Sequence, residues 1–75
     1  MNAKERKIIE EKVISAQRAY RVERRLHGVD ELTMNLAHAS NALSSLYKDL
    51  FGIDEFEKLM GKYFPEDKND SKTPK

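Results

Sequence analysis

From Val29 onward, apolar side chains recur at Leu32, Leu36, Ala39, Leu43, Leu46, Leu50 and Ile53 in alternating steps of three and four. That is the heptad spacing at which one stripe of an α-helix meets another helix. It predicts a helix over about 30–51 with these eight positions as a core or oligomer seam. Between Leu32 and Tyr47 there is no Asp, Glu, Lys or Arg, and the off-seam positions include Ala37, Ser40, Ala42, Ser44 and Ser45. A solvated helix face normally carries charge, whereas small uncharged side chains let other helices approach closely. This segment is therefore expected to be surrounded rather than packed on one side.

A broader stripe precedes it: Ile8, Ile9, Val13, Ala16, Ala19, Tyr20, Val22 and Leu26, with a strongly charged opposite face. It predicts a first helix over about 2–27. Lys12, Glu23 and His27 fall inside the stripe, as polar residues do where they fix register or where long side chains reach out to water. A third apolar face, Ile53, Phe56, Leu59, Met60, Tyr63 and Phe64, predicts a short helix over about 54–64. From Pro65 on, the residues PEDKNDSKTPK offer nothing apolar to bury, and 65–75 is expected to be a disordered polar tail.

The breaks between helices are written twice in nearly the same letters, LHGVDEL at 26–32 and LFGIDEF at 50–56. Glycine ends a helix because it lacks the Cβ that penalises positive φ, and a following apolar residue can fold back on the last turn. Gly28 with Val29 and Gly52 with Ile53 fit that role. An oxygen-bearing side chain and further negative charge then suit the next helix start, as Asp30 with Glu31 and Asp54 with Glu55 and Glu57 would. Asp54 and Glu57, like Asn2 and Glu5, have the spacing of a capping box. A calcium loop would need alternating oxygen ligands over twelve residues, where leucines and a methionine stand here.

So short a connection between the first two helices forces them antiparallel. The expected fold is all-α: a long antiparallel hairpin with a short third amphipathic helix, forming a single domain over 1–64 and dimerising into a helical bundle. Size favours the dimer. A chain of 75 residues builds only a modest core, and without cysteine it has no disulfide or thiolate metal site to help.

The net charge of +1 hides an uneven distribution. Residues 1–27 hold eight Lys and Arg against four Glu, and all five arginines lie in the first 25 residues. No segment approaches the length of a membrane span, and charge stands where a signal peptide would be apolar, so a soluble cytoplasmic protein is expected.

Arg18, Arg21 and Arg25, with Lys7 on the same line and Arg24 adjacent, could follow a phosphate backbone or face a protein partner. Phe56, Met60, Tyr63 and Phe64 form a candidate docking edge. His27 and His38 stand on different helices about 10 Å apart along the axis, too far to share one metal within a chain. No nucleophile-and-base pairing and no glycine-rich phosphate loop is present, so neither an enzyme nor a cofactor is expected.

Ser45-Leu46-Tyr47-Lys48-Asp49 resembles the S-x-x-x-D motif of the small two-helix phosphatases that act on phosphorylated sporulation response regulators. The resemblance covers five residues and implies Asp49 as the functional one. The chain departs from that family in its longer turn-to-motif distance and in Lys48, where the family has an apolar residue. The leading expectation is a non-enzymatic, homo-oligomeric helical interaction or regulatory module that binds a larger protein. A nucleic-acid-associated regulator using the arginine face is the alternative, and a phosphatase-like regulator is the third.

Overall fold

A computed structural model describes residues 1–65, and these form three α-helices with no strand among them: α1 (Ala3–His27), α2 (Glu31–Phe51) and α3 (Ile53–Tyr63). Of the tail expected over 65–75, residues 66–75 lie outside the described residues. The starts of α1 and α2 follow the expected chemistry. At α1, Asn2 Oδ1 accepts from the Glu5 amide at 2.8 Å while Glu5 Oε1 accepts from the Asn2 amide at 3.0 Å, a reciprocal capping box. At α2, Asp30 Oδ1 accepts from the Thr33 amide at 2.8 Å, and that bond holds the Asp30 carboxyl below its ordinary pKa of 3.8.

The start of α3 departs from expectation. Gly52 is the only residue between α2 and α3, so the helix resumes at Ile53 and Asp54 lies inside its first turn. No side chain caps α3, and Asp54 and Glu55 contribute only their charge near the N-terminus. Gly28 (φ 72°, ψ −150°) and Gly52 (φ 97°, ψ 157°) both adopt positive φ, in regions essentially reserved for glycine. Their amides donate to the Arg24 and Lys48 carbonyls at 2.9 and 2.8 Å. The apolar residues after them do not fold back: Val29 and Ile53 remain exposed.

α1 packs on α2 as an antiparallel hairpin, with Gln17 opposite Ser44 and Glu10 opposite Tyr47. α3 lies across the hairpin in the direction of α1, from Glu55 beside Arg6 to Phe64 beside Arg21. The core consists of Val13, Ile14, Tyr47, Leu59 and Phe64, with Ile9, Leu43, Phe51, Phe56 and Met60 packed around it.

The face of α2 that enters the hairpin is not the leucine seam. Its buried residues are Thr33, Ser40, Ser44 and Tyr47, close to the seam displaced by one residue, a rotation of about 100°. The small hydroxyl residues admit α1 closely and bond across or down the contact. Gln17 Nε2 donates to Ser44 Oγ at 3.0 Å, and Thr33 Oγ1 donates to the Gly28 carbonyl at 2.8 Å. Leucines there would hold α1 further off. α2 is thus packed on one side instead of being surrounded. On α1, Val13 is buried as expected, but its buried companion is Ile14, outside the expected stripe. Ile8, Ala19, Val22 and Leu26 stay exposed.

Candidate functional site

Two surfaces and one half-buried network gather the side chains capable of recognition. The network joins all three helices. Tyr47 is buried with its hydroxyl donating to Glu10 Oε2 at 2.9 Å, and Arg6 Nη2 donates to the Tyr47 oxygen at 3.3 Å. Arg6 Nη2 also reaches Glu55 Oε1 at 2.7 Å and Arg6 Nε reaches Glu10 Oε2 at 3.2 Å. The guanidinium carbon sits 4.4 Å from the centre of the Phe51 ring. Burial pushes the Tyr47 phenol above its ordinary pKa of 10.0, and the bond from Arg6 holds Glu55 below 4.5. These groups satisfy one another and fasten α3 to the hairpin.

Beside this network, between α1 and α3, runs a groove of about 430 Å³ lined by Lys7, Glu10, Glu11, Ile14, Ser15, Arg18, Lys62 and Tyr63. A hollow of about 160 Å³ adjoins it and shares Glu10, Lys62 and Tyr63. Two expected surfaces therefore meet in one place: Lys7 and Arg18 from the basic face of α1, and Tyr63 from the edge of α3.

The remaining members of those two surfaces are largely absorbed by the fold. The Arg21 guanidinium carbon lies 4.1 Å from the centre of the Phe64 ring and its Nη2 donates to Gln17 Oε1 at 3.3 Å, so the side chain is half-buried. Arg24 Nη1 donates to the Tyr20 hydroxyl at 2.8 Å. Arg25 is exposed. The expected docking edge is corrected in the same way: Phe64 is buried and Phe56 and Met60 are half-buried, leaving Tyr63 exposed at 43%. The aromatic face of α3 is used to attach α3 to its own hairpin.

The second surface is the leucine seam. Val29, Leu32, Leu46, Leu50 and Ile53 are between 45% and 69% exposed, Ala39 is exposed, and Leu36 and Leu43 are half-buried. The seam flanks the α1–α2 contact and bears no charged side chain.

Among the described residues no three His, Cys, Asp or Glu side chains come together as metal ligands, and no helix is long and apolar enough to cross a membrane. His27 Nε2 stands 3.5 Å from Glu23 Oε1, and His38 is exposed. Ser45 and Asp49 lie exposed on α2, while Tyr47 between them points into the core. Sequence reasoning missed Arg6, Glu10, Glu55 and Lys62. The four-residue spacing of Arg6 and Glu10 was a visible signal, and so was Tyr47 as the aromatic ending an uncharged stretch. No family model, curated protein or solved structure matches this chain significantly.

Proposed function

We propose that this protein is a small non-enzymatic helical interaction module that works as a homodimer and binds a larger protein. The observation that carries the reading is the leucine seam, a heptad repeat free of charge that the chain's own fold covers only at Leu36 and Leu43, and there in part. Five of its eight side chains, Val29, Leu32, Leu46, Leu50 and Ile53, are between 45% and 69% exposed, a contiguous apolar stripe along the length of α2. A second copy is the natural occupant. Its own seam has the same length, period and lack of charge, and a two-fold axis brings like surfaces together. Pairing two hairpins this way gives a four-helix core. Interaction rather than catalysis is supported by the use to which the chain puts its clustered ionisable groups, which bond one another to hold α3.

Sedimentation equilibrium at micromolar concentration is expected to give about twice the chain mass. Leu46→Lys is the discriminating variant, because Leu46 is exposed in the single chain and its replacement leaves the fold intact. Dissociation of this variant with unchanged helicity supports the dimer. A wild-type chain that stays monomeric and folded at about 100 µM rules it out.

A further inference from the structure

We infer that the groove between α1 and α3 binds an acidic peptide segment carrying one large apolar side chain. This names the kind of partner for the partner-binding half of the function proposed above, and it rests on that reading. Three exposed cations, Lys7, Arg18 and Lys62, line the groove, and among the described residues none of them has an ion-pair partner. Of the two carboxylates in the wall, Glu10 is already engaged by Arg6 at 3.2 Å and by the Tyr47 hydroxyl at 2.9 Å. Glu11 is left against three cations, so the lining is net positive and complements carboxylates.

The groove also has an apolar element. Ile14, almost wholly buried, and the exposed Tyr63, with Lys62 Nζ 5.5 Å from its ring centre, both line it, a combination that suits one large side chain between flanking acids. A volume of about 430 Å³ accommodates such a side chain with its backbone, and the adjoining hollow of about 160 Å³ extends the site along α3. An extended segment fills two connected hollows better than a compact ligand does. A nucleic-acid backbone is less well served, because Arg21 and Arg24, which would extend the cationic line along α1, are turned onto the Phe64 and Tyr20 side chains.

The test is fluorescence polarisation with a labelled heptapeptide, Glu-Asp-Glu-Phe-Asp-Glu-Asp, and a second peptide with Gly in place of Phe. Wild-type protein is expected to bind the first saturably and the second at least about tenfold more weakly. Lys7→Gln/Arg18→Gln/Lys62→Gln, three exposed changes checked by circular dichroism, is expected to lose binding. No saturable binding up to about 1 mM, or binding unchanged in the triple variant, overturns the proposal. Equal binding of both peptides, or displacement by inorganic phosphate at matched concentration, reduces the groove to a general anion site and overturns it too. Sedimentation of the same samples reads self-association separately. A dimer that ignores the peptide sinks only the groove, and a monomer that binds it sinks only the dimer.

Discussion

The Tyr47 hydroxyl donates to Glu10 at 2.9 Å across the α1–α2 contact, so the most buried aromatic residue of the described chain carries a polar tip that a half-buried carboxylate satisfies. Its ring meets Phe51 at 4.7 Å and Phe56 at 6.3 Å between centroids, which makes one side chain the junction of α1, α2 and α3. Tyr47→Phe keeps the packing and removes only the hydroxyl, leaving Glu10 still bonded to Arg6. The expected loss is about 1 kcal/mol. Tyr47→Ala removes the junction and is expected to cost roughly 3 to 5 kcal/mol, enough to unfold much of so small a domain. Urea unfolding of both variants measures the difference, and equal losses would show that the ring does not carry the packing.

Stability is expected to fall at both ends of the pH scale, for different groups. The carboxyls of Glu55 and Asp30 are held below 4.5 and 3.8 respectively, Glu55 chiefly by Arg6 and Asp30 chiefly by the Thr33 amide. Depressed acids contribute stability that is complete above their unfolded values and disappears as pH falls through the lower folded values. The Tyr47 phenol is raised above 10.0 by burial, so its contribution is complete below that value and disappears as pH rises through the folded one. Melting temperature should therefore be flat across neutral pH, declining below about pH 4.5 and above about pH 10. Glu55→Gln should flatten part of the acid limb and leave the alkaline limb alone, whereas Tyr47→Phe should do the reverse.

The three glycines give opposite answers to one substitution. Gly28 and Gly52 sit at positive φ with open space around them, so alanine meets no neighbour and suffers only from the backbone. Gly28→Ala and Gly52→Ala are each expected to destabilise by about 1 to 3 kcal/mol. Gly61 lies inside α3 in helical geometry, with nothing within 4 Å of an added Cβ. Gly61→Ala is expected to stabilise by about 0.5 to 1 kcal/mol. Thermal melts of the three single variants are sufficient, and a Gly28→Ala protein as stable as wild type would refute the account of the first break.

Helix number, the hairpin and the starts of α1 and α2 were legible because periodicity, capping oxygens and glycines act locally, whereas the start of α3 was not, since Gly52 alone turns the chain and no side chain caps Ile53. The side of α2 that packs was not. Leu32, Leu36, Leu43 and Leu46 made the stronger apolar pattern, yet α1 settles on Ser40 and Ser44, where small side chains permit close approach. A pattern reports which face avoids water without naming what covers it, and here the chain's own α1 covers the neighbouring face. Arg21 misled in a related way. It reads as a surface cation, but Phe64 arrives from forty-three residues further along the chain and stacks on it, a contact no local spacing encodes. The meeting of Lys7, Arg18 and Tyr63 in one groove depends likewise on the path of α3.

That difference among the arginines is measurable. Arg18 and Arg25 are exposed, Arg18 with its guanidinium carbon 5.8 Å from the Phe64 ring centre, and replacing either with Gln is expected to change stability by less than about 0.5 kcal/mol. Arg21 lies half-buried with its guanidinium carbon 4.1 Å from the Phe64 ring centre, so Arg21→Gln removes both a cation–π contact and the packing of its stem. A loss of about 1 kcal/mol is expected, and Arg21→Lys should recover only part of it because an ammonium lacks the flat face that stacks. The same variants separate partner classes. A nucleic-acid binder would retain duplex DNA or RNA at about 150 mM salt and lose it when Arg18 and Arg25 become Gln, with a steep salt dependence in the wild type. For a protein-binding module the expected result is no retention by either form at that salt. Tight wild-type binding abolished by the double variant would assign the basic face of α1 to nucleic acid instead.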